Sequence, residues 1–237
     1  MFSLILLDQA DRTVEVLGMT PPIPDWIRDY RCPKGRFRNI YEYVPEESRL
    51  YGTESMFGDW DGELLLLGQD FCCTDDVERR ISEGRERLFA HNPAMITNRS
   101  LELHTRGFDC GMLYASALAG MLKVGDSNSG LPGWSHMREH LSEVLRFTIE
   151  HMPNLSAIAC MGSAAWDLCH HADEREHIPL SHALKYRCPS RFDGLPVYAM
   201  PHPARASSVL GSKERVQERW DWMRTDLLGS SSHNAAA

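Results

Sequence analysis

The sequence lacks the features of several large protein classes. No apolar run approaches the roughly 20 residues that a helix needs to cross a bilayer. The apolar segment 1–8 has no basic flank and ends in a charged residue, Asp8, unlike a signal peptide. We therefore expect a soluble, cytoplasmic protein without a membrane partner, in which residues 1–8 form an edge strand.

Cysteine is not used in a pattern that indicates metal binding or cross-linking. The number of cysteines, 7, is odd, and no two of them form a C-x-x-C pair. This favours reduced thiols over a disulfide framework or a zinc ribbon. His136 and His140 are one helical turn apart, but Glu139 does not follow the first histidine as it does in zinc proteases. A solvated helical face is the preferred interpretation, and no metal or cofactor is expected.

Positive charge is outnumbered, because 33 Asp and Glu residues against 25 Lys and Arg residues give a formal net charge of −8. Binding to DNA depends on lysine and arginine neutralising phosphates, so this balance argues against a nucleic-acid partner. However, binding depends on local charge, and the acidic residues cluster in the segments 46–47, 59–63, 75–86 and 173–176. Other faces of the molecule are therefore free to be basic.

A chain of 237 residues that is 43% hydrophobic suits one domain, which we predict over 1–228, with a disordered tail over 229–237. Apolar runs predict strands, and helical spacing predicts helices. The predicted strands are 64–67, 155–161 and 195–200, and the predicted helices are 75–90, 113–123, 135–151, 164–170 and 213–228. This alternation predicts an α/β fold with a parallel sheet covered on both faces.

Two polar segments directly follow predicted strands. Gly68-Gln69-Asp70 comes after the first strand, and His202 stands between two prolines after the last. In parallel sheets the functional groups collect beyond the carboxyl ends of the strands. Taken alone, Asp70 is more often a helix cap or turn residue, and His202 more often a turn residue.

Together these segments resemble the signature motifs of the uracil-DNA glycosylase superfamily. In its best-known branch the motifs are Gly-Gln-Asp-Pro-Tyr-His and His-Pro-Ser-Pro-Leu-Ser, which compare with Gly68-Gln69-Asp70 and with residues 202–207, His-Pro-Ala-Arg-Ala-Ser. Segment 159–166 resembles the strand-to-helix turn before the second motif, and Thr97-Asn98 resembles a pair found in some branches. The resemblance covers residues 60 to 210 and implies a three-layer α/β/α sandwich around a small, mainly parallel sheet.

The resemblance implies a monofunctional DNA N-glycosylase that acts, as a monomer and without a metal, in base excision repair. Its substrate would be DNA that contains uracil or a related damaged base. Cleaving the N-glycosidic bond builds positive charge on the sugar and negative charge on the departing base. The implied roles are a carboxylate beneath the sugar for Asp70 and a donor at the pyrimidine O2 for His202.

The implied base pocket comprises Gln69, Phe71, Cys72 and Asn98. The Asn98 amide suits the polar edge of uracil, although it equally suits a cap or turn residue. Phe71, or alternatively Tyr114, would stack on the flipped base, and either aromatic is otherwise core. Cys72 stands where the best-known branch has a tyrosine that excludes the thymine methyl group, which puts the exclusion of thymine in doubt.

The implied DNA contacts are Pro203, Arg205, Ala206 and Ser207. Ala206 matches the leucine wedge of the family but is too short to wedge, so Arg205 would either wedge or hold a phosphate. Ser207 would bind a phosphate, or belongs to an exposed polar turn. Some branches hold an iron–sulfur cluster, but the cysteine spacings here do not fit one.

Two other functions remain open. A catalytically inactive nucleic-acid or nucleotide binding module of the same fold is favoured by the net charge and the altered wedge. Asp70 and His202 together favour the enzyme. An unrelated α/β hydrolase or transferase is the third possibility, but Gly162-Ser163-Ala164 does not form the G-x-S-x-G nucleophile elbow.

Overall fold

The computed structural model describes residues 21–44, 57–70, 72–84, 95–128, 130–188 and 190–234. Two sequence predictions lie outside these residues: the edge strand at 1–8 and the role of Phe71. The helix predicted over 75–90 is too long, because the helix ends at Ser82, and Glu83 and Gly84 form a turn.

The described residues form strands and helices in alternation. The strands are β1 Phe37–Asn39, β2 Leu64–Gly68, β3 Met112–Ser116, β4 Met121–Lys123, β5 Ala157–Met161, β6 Ser190–Phe192 and β7 Leu195–Met200. The α-helices are α1 Asp25–Arg28, α2 Thr74–Ser82, α3 Ile96–Thr105, α4 Arg138–Glu150, α5 Ser163–Ala172, α6 Leu180–Tyr186, α7 Ala206–Leu210 and α8 Lys213–Asn234. Short 3₁₀ turns cover Ile40–Glu42, Ser135–Met137 and Pro203–Arg205.

A five-stranded sheet in the order β3-β2-β5-β7-β6 forms the centre of the fold. The first four of these strands are parallel, and β6 pairs antiparallel with β7. A separate two-stranded antiparallel pair joins β1 and β4. The predicted α/β fold with a mainly parallel central sheet is confirmed, as are the strands predicted around β2, β5 and β7.

Helices cover both faces of the sheet. Successive residues of a strand point to opposite faces, so Leu65 and Leu67 of β2 share a buried cluster with residues of α4 and α5. Leu64 and Leu66 belong to a second buried cluster with Leu101 of α3 and with residues of α8. The run of four leucines in β2 is therefore buried on both sides, which is typical of a central parallel strand.

The helix predicted over 113–123 is wrong. This segment contains β3, a turn over 117–120, and β4. Its Ala and Leu residues favour a helix locally, but pairing of β3 with β2 and of β4 with β1 decides the conformation. Ala119 and Gly120 both have positive φ, at 48° and 73°, which makes the tight turn that separates the two strands.

The last helix is longer than predicted. Helix α8 runs to Asn234, whereas the sequence analysis began a disordered tail at 229. Once a helix is established, each further residue adds a hydrogen bond at small entropic cost, so weak helix formers can extend it. The helices predicted at 135–151 and 164–170 are confirmed as α4 and α5 with small shifts at their ends.

No helix in the described residues is long and apolar enough to cross a membrane. All seven cysteines are free thiols. The interpretation of His136 and His140 as a solvated helical face is wrong for His140, whose ring stacks on Tyr30 with 3.5 Å between ring centroids. His136 is partly exposed, and its Nε2 lies 3.3 Å from the Sγ of Cys32.

Candidate functional site at the carboxyl edge of the sheet

Three loops leave the same edge of the sheet beside one another. Strands β2, β5 and β7 are parallel neighbours, so Gln69 and Asp70 after β2, Gly162 after β5 and His202 after β7 share the carboxyl edge. Strand β3 lies beside β2 on the side away from β5, and β7 lies beside β5 on the side away from β2. The chain therefore leaves β2 and β5 in opposite directions. A crevice opens between the ends of two such strands, and it is the usual ligand position in α/β sheets.

Gly162 lies between the two predicted motifs. A β-carbon placed on it would be 3.5 Å from Cβ of His202 and 3.8 Å from Oε1 of Gln69. Its φ of 102° belongs to the region that favours glycine, and its N–H donates to the carbonyl of Met200 at 3.0 Å. The side chains of Gln69 and His202 therefore both lie next to this glycine, so the two motifs converge.

Asp70 supplies the negative charge of this cluster. Its Oδ1 accepts a hydrogen bond from Nε2 of Gln69 at 3.4 Å, and the residue is half-buried. Its carboxylate is within Coulombic range of His202, Tyr114 and Cys72. Asp70 and His202 thus interact electrostatically across the crevice.

The His202 ring is held in one protonation form. Burial and the nearby Arg205 lower its pKa, and the Asp70 carboxylate opposes them only in part. Nδ1 accepts a hydrogen bond from the backbone N–H of Ala204 at 3.3 Å. A neutral imidazole that accepts at Nδ1 carries its proton at Nε2, so Nε2 is a hydrogen-bond donor.

Strand β3 supports the Asp70 loop from the other side. A β-carbon on Gly68 would lie 2.5 Å from the hydroxyl oxygen of Tyr114, so this ring packs directly on the glycine. Burial, followed by the Asp70 carboxylate, raises the pKa of Tyr114 to about 12. The Ser116 hydroxyl donates to the carbonyl of Gln69 at 3.3 Å, and the N–H of Ala117 donates to the carbonyl of Gly68 at 2.8 Å.

Sequence analysis missed Ser116 and gave Tyr114 only a stacking role, because it placed both residues in a helix. The short apolar run Met112-Leu113-Tyr114 was the available signal for a strand. It was masked by the high helix propensity of the alanines and leucines that follow.

Cys72 lies beside Asp70, in the loop before α2. Burial is the main cause that raises the pKa of its thiol to about 12, so the group is neutral at physiological pH. A neutral thiol is a small, weakly polar wall for a pocket rather than a nucleophile.

Asn98 lies in the first turn of α3, on the same helix face as the buried Leu101 and Thr105. Helix α3 contacts the Pro203–Arg205 turn, which directly follows His202.

A surface groove of about 720 Å³ continues from His202 between α3, α7 and the start of α8. Exposed Arg205 and Ser207 line it, together with Arg99, Lys213 and one carboxylate, Glu214. The groove is therefore locally basic in an acidic protein.

Two of the predicted DNA contacts are largely buried. Ala206 is only 4% exposed and packs in the core cluster that contains Met200 and Trp220, and Pro203 is also buried. Both reach the floor of the groove. Ala206 therefore offers almost no surface to a DNA strand, and of the two predicted wedge positions only Arg205 projects outward.

Among the described residues, no group of three or more His, Cys, Asp or Glu side chains is arranged to hold a metal ion. The chain matches no model of a known protein family, and a search of curated proteins finds no relative. The candidate site therefore rests on the geometry of this chain.

Proposed function

We propose that the protein is a DNA glycosylase that removes uracil or a related damaged base by hydrolysis of the N-glycosidic bond. The observation that carries this proposal is the convergence of Gln69 and His202 next to Gly162, with the Asp70 carboxylate within electrostatic reach of the imidazole. A carboxylate and a neutral donor on opposite sides of one crevice match the opposite charges that form when sugar and base separate.

In this proposal Asp70 acts at the sugar. Its carboxylate stabilises the positive charge that develops on the deoxyribose and orients a water molecule towards C1′. The water oxygen forms the new bond to C1′, and the electron pair of the broken C1′–N bond leaves with the base. One water proton returns to solvent or to the base, so the step needs no metal or redox partner.

His202 acts at the leaving base. The N–H of Ala204 occupies Nδ1, so Nε2 presents its proton to the O2 oxygen of a flipped pyrimidine. Because burial and Arg205 lower the pKa of His202, the ring is neutral near pH 7 and needs no counter-charge while the pocket is empty. A fixed donor of this kind stabilises the departing anion more than the bound base.

The proposed base pocket lies between the Asp70 loop and the first turn of α3. Asn98 reads the polar edge of the base, and Cys72 forms a wall close to Asp70. A thiol is smaller than a phenol ring, so the wall leaves room for bases larger than uracil. Four side chains provide donors for the phosphates of the strand that enters the groove: Arg99, Arg205, Ser207 and Lys213.

The proposal includes a monomer that acts in the cytoplasm. Seven free thiols are compatible with the reducing interior of a cell.

The proposal is tested by chromatography of free base released from oligonucleotides that carry uracil, hypoxanthine, xanthine or mismatched thymine. A chelator is present throughout, and Asp70→Asn protein purified identically is the blank. We expect the wild type to release uracil and the blank to release none above background. Binding of the oligonucleotides without release of any base would instead identify a binding module and overturn the proposed activity.

A further inference from the structure

A second basic groove lies on the far side of α7 from the candidate site. It has a volume of about 450 Å³ and is formed by α6, α7 and the first half of α8. Four of its lining residues carry positive charge and one, Glu218, is acidic. The cations are Lys185, Arg187, Arg215 and Arg219. In a chain whose net charge is −8, this concentration of cations marks an anion-binding surface.

Arg219 is the unusual member of this set, because the residue is only 3% exposed. Nε donates to the carbonyl of Ala199 at 3.0 Å, Nη2 donates to the same carbonyl at 2.8 Å, and the planar group lies 4.3 Å from the ring centroid of Trp222. The third nitrogen, Nη1, is buried and has no hydrogen-bond partner among the described residues. Arg219 thus lines the groove and carries one buried donor without a partner among the described residues.

The charge of Arg219 persists at neutral pH. Burial, followed by Arg187, lowers the pKa of its guanidinium to about 10, which is still far above 7. A buried charge that lacks a counter-ion is strongly destabilising, and backbone carbonyls compensate it only in part. An anion that enters the groove would complete the hydrogen bonds of Arg219 and pair with the exposed cations around it.

A phosphate group fits these donors. Guanidinium groups bind phosphate oxygens with paired N–H donors, and a lysine adds a mobile point charge. The apolar part of the lining, Leu184, Val209 and Leu210, accommodates the sugar edge of a nucleotide.

Two elements connect the second groove to the candidate site. Helix α7 has Ser207 and Ser208 on the first groove and Val209 and Leu210 on the second, so it forms the ridge between them. A helix is about 10 Å wide, which is about three nucleotides of a strand. The guanidinium of Arg219 donates a hydrogen bond to the carbonyl of Ala199 in β7, three residues before His202.

We propose that this second groove binds a backbone phosphate of the nucleic-acid strand that carries the target base, at a distance from the excised nucleotide. The identity of the strand rests on the proposed function, whereas the phosphate site rests on the groove itself. The strand crosses α7 and places phosphates in both grooves.

The test compares Lys185→Gln/Arg215→Gln with the control Arg31→Gln/Arg106→Gln, which removes two exposed cations outside both grooves. Affinity for a uracil-free single-stranded oligonucleotide is measured by fluorescence anisotropy over a range of salt concentrations. For the groove variant we expect weaker binding and a log–log salt slope reduced by about 0.7 for each lost phosphate contact. The control should keep the slope of the wild type.

The outcomes separate the groove from the activity. If the wild type releases uracil but the groove variant and the control bind DNA alike, the groove inference fails and the proposed function stands. If the wild type releases no base but the salt slope falls only in the groove variant, the groove binds nucleic acid and the activity is wrong. A thermal stabilisation by inorganic phosphate that the groove variant loses, with unchanged DNA binding, would assign the groove to a free phosphate and overturn the inference.

Discussion

Gly68 and Tyr114 show how closely the backbone of the Asp70 loop is packed. The phenol ring of Tyr114 covers the glycine that precedes the Gln69-Asp70 pair, and it also lies beside the carboxylate. Any side chain at position 68 must therefore displace either the ring or the loop.

We expect Gly68→Ala to reduce the single-turnover rate of uracil release by about 100-fold, because displacement of a catalytic group by about 1 Å has an effect of this size. The new β-carbon would lie 2.5 Å from the Tyr114 hydroxyl and 3.0 Å from Cζ. Tyr114→Phe removes the closer of these contacts, so the double variant should recover part of the loss. Equal rates for Gly68→Ala and the double variant would show that the hydroxyl contact does not position the loop.

At the scale of residues, sequence reasoning found the polar groups but not their supports. Asp70 and His202 are visible because they follow apolar runs and sit in short motifs. Ser116 makes its contact through the carbonyl of Gln69, 47 positions earlier in the chain. A contact of this kind depends on strand pairing, which no local pattern in the sequence specifies.

At the scale of elements, strands that are flanked by turn residues were predictable and those followed by helix formers were not. Strand β2 is four leucines and a glycine, and β7 ends at Met200 just before Pro201, so both have clear boundaries. Strands β3 and β4 are joined by a four-residue turn that consists of Ala and Leu apart from its glycine. Only their pairing with β2 and β1 overrides the helix propensity of this segment.

The packing of α4 on the segment after α1 gives the protein a pH-dependent stability. His140 is held against Tyr30 with nearly parallel rings, at an angle of 4°, and burial lowers its pKa to about 4. The unfolded chain therefore binds more protons than the folded protein between about pH 6.5 and 4. This contribution to stability is complete above pH 6.5 and is lost as the pH falls through that interval.

We expect the unfolding temperature of the wild type to decrease from pH 6.5 to 4 more steeply than that of His140→Phe. Phenylalanine keeps a ring on Tyr30 but cannot accept a proton. The matched control is His151→Phe, which replaces an exposed histidine just after the same helix and should keep the pH dependence of the wild type. If the unfolding temperatures of the wild type and His140→Phe fall in parallel with pH, His140 does not cause the loss of stability at low pH.

At the scale of the whole molecule, the distribution of charge matters more than its sum. Two of the acidic segments, 59–63 and 173–176, precede β2 and follow α5, so they lie at the amino edge of the sheet, opposite the candidate site. The two grooves beside α7 contain more cations than carboxylates. Asp75 and Asp76, in the first turn of α2, are acidic groups near the carboxyl edge itself.

This separation of charge agrees with the expectation that some faces of an acidic chain are basic. Composition alone could not locate those faces, because Arg99 is about 100 positions from Arg205 and Lys213 in the sequence. The three residues line one groove only through the packing of α3 against α8 and against the turn that follows β7.

The most direct measurement of the central claim is the single-turnover rate of uracil release by Asp70→Asn and His202→Ala, beside the exposed controls Asp75→Asn and His151→Ala. If the carboxylate and the imidazole act on one sugar–base bond, each of the first two variants loses about 100-fold or more while the controls keep the wild-type rate. Rates for Asp70→Asn and His202→Ala that equal those of the controls would contradict the claim that these two groups act on one sugar–base bond.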